Sequence, residues 1–253
     1  MAAGQWDGLL WLILTLVPFI LVQRWLHREL QGVFLLTTRH PTAAILLFQV
    51  VFLPGVFLHE MSHFVTAKLL RVRTGRFSLL PQLMGNGLLR MGFVEIGQTD
   101  FLRDSLIGAA PLISGGQAVG ALGIYKLGVL PLMEYLQQQN LPGLFDALWS
   151  LPQQPDFWLW FYLAFVVSSM MMPSASDRSR WSVLVLVVAV LAGLAFLAGL
   201  GPWLAQHFAP GLNSTLNSIA LVFGISLVVH FILAVPLMLI RKLLSRITGL
   251  TYR

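Results

Sequence analysis

Long apolar runs separated by short polar joints dominate the chain. Six runs, at 8–22, 41–70, 102–132, 157–173, 181–203 and 216–240, approach or exceed the roughly 20 residues with which a helix crosses about 30 Å of hydrocarbon. Trp6, Trp25, Trp158, Trp181 and Trp203 stand at or just outside the run ends, where indole rings sit at headgroup level. The first run is expected to stay as a membrane anchor, because no Lys or Arg precedes it and no small-residue cleavage site follows it.

Composition agrees with the pattern. Of 253 residues, 57% are hydrophobic and 10% charged; a soluble domain carries about a quarter charged residues. This excludes a water-soluble globule. The pattern predicts an all-α polytopic membrane protein of about six transmembrane helices, forming one membrane-embedded domain over residues 1–253 with a lipid bilayer as its solvent. The formal charge of +6 includes no basic stretch with interleaved aromatics, so no nucleic-acid partner is expected. The basic residues serve instead as topology markers. With six spans, only Arg24, Arg28, Arg39 and Lys126 fall on the side opposite both termini, and the positive-inside bias then places both termini in the cytoplasm of a prokaryotic plasma membrane.

Segment 72–99 is the only stretch that does not read as helix. The alternation Phe93, Val94, Glu95, Ile96 and the turn signal Gly85, Asn86, Gly87 indicate a short β-hairpin-like insertion between spans 2 and 3; an irregular basic loop fits the same residues.

The second run carries His59, Glu60, Met61, Ser62, His63, the pattern H-E-x-x-H. Two histidines four apart share one face of a helix and can reach one metal ion, with the adjacent carboxylate as general base. Three ionisable groups within a membrane run are costly unless they face the protein interior and find partners. Cysteine is absent, so any metal is held by nitrogen and oxygen. A catalytic zinc takes three protein ligands. His27, His40 and His207 are placed in joints on the opposite side and His230 deep in the last run, where a helix-to-helix hydrogen bond is the commoner role. Asp177, just beyond the fourth run on the same side as His59 and His63, is the carboxylate at the right level.

These features resemble the site-2 proteases, zinc metalloproteases that cut within or beside transmembrane helices. The HEMSH motif inside a span, the small-residue-rich third run starting at Ala110, Pro111, Leu112, and Asp177 after a proline-containing helix end carry the resemblance. It implies a three-helix catalytic core in spans 2 to 4, over about 41–181, with Zn2+ held by His59, His63 and Asp177 and with Glu60 as the base. Asp177 lies in Ala175, Ser176, Asp177, Arg178 rather than the family's Leu-Asp-Gly context, and Ser114 and Ser169 stand where the family places asparagines. Ser114, Ser169 and Asn86 are therefore the candidate substrate-binding residues.

The expected function is zinc-dependent hydrolysis of peptide bonds in or next to transmembrane segments of a membrane protein substrate. A strand within 72–99 would hold the locally unwound substrate by main-chain pairing. The small residues of the third run, Gly108, Gly115, Gly116, Gly120 and Gly123 among them, are read as packing that draws spans 2 and 4 together. Two alternatives are a metal-ion transporter, disfavoured because run 41–58 offers little polar beyond Gln49, and a catalytically inactive zinc-binding membrane protein, disfavoured by the retention of Glu60.

Overall fold

A computed structural model describes residues 7–83 and 89–250. The described chain is a helical bundle of α1 (Asp7–Thr38), α2 (Pro41–Leu69), α3 (Phe101–Tyr125), α4 (Val129–Gln137), α5 (Leu141–Ser150), α6 (Phe157–Met170), α7 (Trp181–Leu197), α8 (Gly201–His207) and α9 (Ala209–Thr248), with four short strands between α2 and α3. α1, α2, α3 and α9 are each long and apolar enough to cross a membrane. Rows of leucine, valine and phenylalanine remain exposed on the outside, among them Leu21, Val50 and Val185, as expected of surface that meets lipid. The chain is thus an all-α multi-pass membrane protein.

Several elements differ from the hydropathy reading. The first run does not stop at residue 22: α1 continues to Thr38, so Arg24, His27 and Arg28 lie on a helix rather than in a joint. Inside it Glu29 is buried, accepting from Trp25 Nε1 at 3.1 Å and pairing with Arg241 of α9. The third run ends at Tyr125, and α4 begins only after Gly128, whose φ of 63° breaks the helix. The fifth run is broken, with α7 and α8 meeting at 116° across 198–200, where Gly199 has a φ of 78°. α6, the fourth run, is a 14-residue helix set against α2 and α3.

α1 and α9 form the most extensive helix pair, and they run in the same direction. The Gly8 N–H donates to Asn213 Oδ1 at one end, and Glu29 meets Arg241 at the other. Six alternating crossings would set the first and last helices antiparallel. The bent α7–α8 pair accounts for the difference if it returns to the side it left, and the two ends of the chain then lie on opposite sides of the bilayer. A reporter fused ahead of α1 and one fused after α9 are expected to read out in opposite compartments; readout in the same compartment would contradict this packing.

The insertion forms two short antiparallel ladders, one inside the other. β1 (Thr74–Ser78) pairs with β4 (Phe93–Ile96), in register Phe77 to Val94 and Ser78 to Phe93, and β2 (Gln82–Leu83) pairs with β3 (Leu89–Arg90). The turn residues Gly85, Asn86 and Gly87 lie outside the described residues. Gln49, in the first third of α2, ties the insertion down: its Nε2 donates to the carbonyls of Leu79 and Met91 at 2.7 and 2.8 Å, one on each side of the inner ladder. Non-helical backbone at membrane depth requires such partners, since lipid offers none.

The core of the bundle joins α1, α2, α6 and α9 through Phe19, Leu26, Phe52, Phe165 and Phe223. Glycine sets the closest approach. A Cβ on Gly55 of α2 would fall 2.2 Å from the Val166 carbonyl oxygen of α6, so only glycine lets these two helices touch at the level of the H-E-x-x-H turn.

Candidate metal centre

His59 and His63 stand one turn apart near the end of α2, and each imidazole is fixed by a backbone carbonyl. His59 Nδ1 lies 2.7 Å from the Met170 oxygen at the end of α6, and His63 Nδ1 lies 2.8 Å from the Ile107 oxygen of α3. A carbonyl only accepts, so both Nδ1 atoms carry the proton, and in the neutral ring each Nε2 is left with its lone pair. The carbonyl of Met170 is free to accept because it closes a helix, where the last C=O groups lack intrahelical partners.

Both lone pairs converge on one point. The two Nε2 atoms are 3.2 Å apart, and Asp177 faces them with Oδ2 3.6 Å from His59 Nε2 and Oδ1 3.4 Å from His63 Nε2. Three groups able to donate electron pairs thus converge on one point, the arrangement a bound cation calls for. Tetrahedral zinc with bonds of about 2.0–2.1 Å has ligand-to-ligand edges of about 3.3–3.4 Å. The donor set therefore fits a metal ion of that kind, and among the described residues these three form the one such His and carboxylate group.

The Asp177 side chain is placed by its own turn. Oδ2 accepts the Ser174 N–H at 2.7 Å, and Ser174 Oγ accepts the Asp177 N–H at 3.3 Å. Burial of the carboxyl opposes ionisation, but the facing polar edges of the His59 and His63 rings and the Ser174 N–H outweigh it and hold the group well below the usual carboxylate range. The aspartate is thus a charged donor. Its loop crosses α3 at Gly108, where a Cβ would fall 2.0 Å from the Asp177 carbonyl oxygen. Gly108→Val is expected to push this loop outward and to weaken metal binding about 10- to 100-fold, the size of effect typical of groups that orient ligands. A competitive zinc titration checks this, and unchanged affinity would remove Gly108 from the site.

Glu60 lines the same cleft, a space of about 730 Å³ that also takes in Met91, Gly92, Val94, Ile96 and Asp104. It is 7% exposed. The segment leading into β4 passes directly over it, and a Cβ on Gly92 would stand 2.9 Å from Glu60 Cγ. Side-chain exposure is 15% for His59 and Asp177 but 6% for His63, so the cluster opens toward the cleft on the His59 and Asp177 side. A further ligand position there would be accessible to water.

No protein-family model, no curated protein and no solved structure matches this chain.

The other sequence candidates separate. Ser169 borders the cleft, but its hydroxyl lies 2.9 Å from His230 Nε2, and its carbonyl accepts Gln23 Nε2 at 2.6 Å. His230 Nδ1 in turn meets the Ser226 carbonyl, so the hydroxyl is the donor to His230. Ser114 does not border the cleft and bonds only to the Pro111 carbonyl one turn back, at 3.4 Å. Asn86 lies outside the described residues. Sequence reasoning missed Gly92, although a glycine entering a strand pattern marks close backbone approach, and it missed the two carbonyls that orient the imidazoles, although Pro111 has no N–H to take up the Ile107 carbonyl one turn before it.

Proposed function

We propose that this chain is a zinc-dependent intramembrane endopeptidase of the site-2 protease type, cutting membrane protein substrates within or beside their transmembrane segments. The observation that carries the reading is the pair of imidazoles whose Nδ1 protons are committed to backbone carbonyls, leaving two Nε2 lone pairs and the Asp177 carboxylate aimed at one point beside Glu60. His59, His63 and Asp177 would hold the ion. When bound, zinc supplies Lewis acidity toward a water and a carbonyl oxygen.

Glu60 then does the proton work. Its carboxylate takes a proton from the attacking water as the oxygen-to-carbon bond forms, and returns it to the amine nitrogen as the carbon-to-nitrogen bond breaks. A purely structural zinc needs no such base. The substrate must be unwound, because the carbonyls of an intact helix are already bonded and screened. β4 is suited to receive it: β1 covers one of its edges, no other strand pairs with it among the described residues, and Val94 and Ile96 border the cleft. Main-chain pairing along β4 would replace the helical bonds the substrate gives up.

A conduit for ions is less well supported. Beyond Thr42 at its start, α2 offers Gln49 as its polar side chain ahead of the site, and the amide nitrogen of Gln49 is engaged by Leu79 and Met91.

The test is incubation of the full chain, reconstituted with zinc, with a single-span model substrate. The expected result is fragments cut in or next to the apolar segment, absent when a chelator is present. A chain that holds zinc yet cuts no substrate, even one with helix-breaking residues near its membrane boundary, would favour a binding protein instead.

A further inference from the structure

Where α2 ends and α3 begins, a second cavity of about 410 Å³ opens, lined by Arg71 and Arg73 from the link into β1, by Arg103 from the first turn of α3, and by the turn 97–99. Arg103 is paired with Asp100 at 3.3 Å, and among the described residues Arg71 and Arg73 form no ion pair. Arg71 and Arg73 thus bring two positive charges to the cavity lining that no carboxylate among the described residues offsets.

The backbone gives a second, independent sign. Arg71 has a φ of 58°. The Val72 N–H bonds to the Ala67 carbonyl at 2.8 Å and the Arg71 N–H to that of Lys68 at 3.0 Å, the helix closure in which this position is ordinarily glycine because an L side chain is strained there. The chain keeps an arginine at a place where glycine would relieve strain, and that side chain lines the cavity. Around the cavity, Leu69, Phe101 and Leu102 are exposed. Apolar side chains that face lipid next to arginines mark the level of the headgroups.

We propose that this cavity binds a phosphate-bearing anion, supplied by the headgroup of an anionic phospholipid. The planar guanidinium fork matches phosphate oxygens two at a time, and Arg71 and Arg73 from the link and Arg103 from α3 can offer such forks from two sides of the cavity. The site lies over the small apolar cluster of Ala67, Val72 and Ile107, and the Ile107 carbonyl is the group that orients His63. A bound headgroup would tie the end of α2 to the start of α3 directly above that contact. The inference does not depend on the hydrolytic reading.

The experiment uses the full chain in neutral detergent and counts phospholipids retained from mixtures of phosphatidylglycerol and phosphatidylcholine by native mass spectrometry, beside a titration with inorganic phosphate. Wild type is expected to retain phosphatidylglycerol preferentially. The double variant Arg71→Gly, Arg73→Gln should hold it about tenfold more weakly while melting no lower than wild type, since glycine suits the helix closure. Arg76→Gln, whose arginine faces Glu95 instead, should behave as wild type. Phosphate binding that needs Arg71 and Arg73, without any lipid preference, would support the phosphate chemistry with a soluble source. Lipid and phosphate binding that both ignore the double substitution, or that fall equally in Arg76→Gln, would overturn the proposal.

Discussion

Asp177→Ala should strip the metal from the protein. The carboxylate is the only negatively charged member of the cluster and the only one not on α2, so its removal leaves two imidazoles 3.2 Å apart with nothing to close the site. Zinc affinity is expected to fall by more than about a hundredfold, beyond the 10- to 100-fold range of a merely supporting residue, and cleavage should disappear with it. The low proton affinity of Asp177 means that the charge, and not only the shape, is lost. Asp177→Asn separates the two: it keeps an acceptor for the Ser174 N–H but not the charge, and should bind zinc with intermediate affinity. Zinc titration of both variants, with melting curves as a folding check, reads the outcome. Wild-type affinity in Asp177→Ala would remove the residue from the metal centre.

Glu60→Gln should have the opposite profile, keeping zinc and losing chemistry. Glutamine preserves the size of the side chain under Gly92, where space is tight, but it cannot accept a proton. Positioned general bases contribute about 10²- to 10⁴-fold, and cleavage is expected to fall by that factor while zinc content stays at the wild-type level. The split matters because a packing defect would lower both. Zinc-dependent cleavage undiminished in Glu60→Gln would sink the proposed mechanism, whatever the metal content.

The sequence made one part of the site legible because a helix converts spacing into geometry. His59 and His63, four apart, fall on one face whatever the rest of the fold does, and a charged triplet in an apolar run demands partners. Asp177 was reachable by depth, since the end of the fourth run and the end of the second lie at the same level. The Met170 carbonyl was not, because main-chain groups carry no residue identity, whereas the Ile107 carbonyl is marked by Pro111, which has no N–H to bond it. The break at Gly199 was missed for a related reason. Hydropathy reports how apolar a segment is, not its direction, and 181–203 is apolar throughout although α7 and α8 meet at 116°. Gly199, Gly201 and Pro202 are the signals that mark the bend. In α1 the reverse occurred. Arg24, Arg28 and Glu29 read as a polar joint, yet Glu29 is buried against Trp25 and Arg241, a partner more than 200 residues away along the chain. The strand pairing of 72–99 was legible from alternation, but its attachment through Gln49 was not, because a lone amide in an apolar run gives no hint of what it will meet.

The central claim is that His59, His63 and Asp177 together hold one zinc ion. X-ray absorption at the zinc edge, on full chain purified without added chelator, tests it most directly. The account predicts one zinc per chain in a shell of light nitrogen and oxygen atoms at about 2.0–2.1 Å, with the outer-shell pattern of two imidazoles, and loss of that spectrum in His59→Ala, His63→Ala. A chain that retains no zinc, or that shows the same spectrum after both histidines are removed, would contradict it.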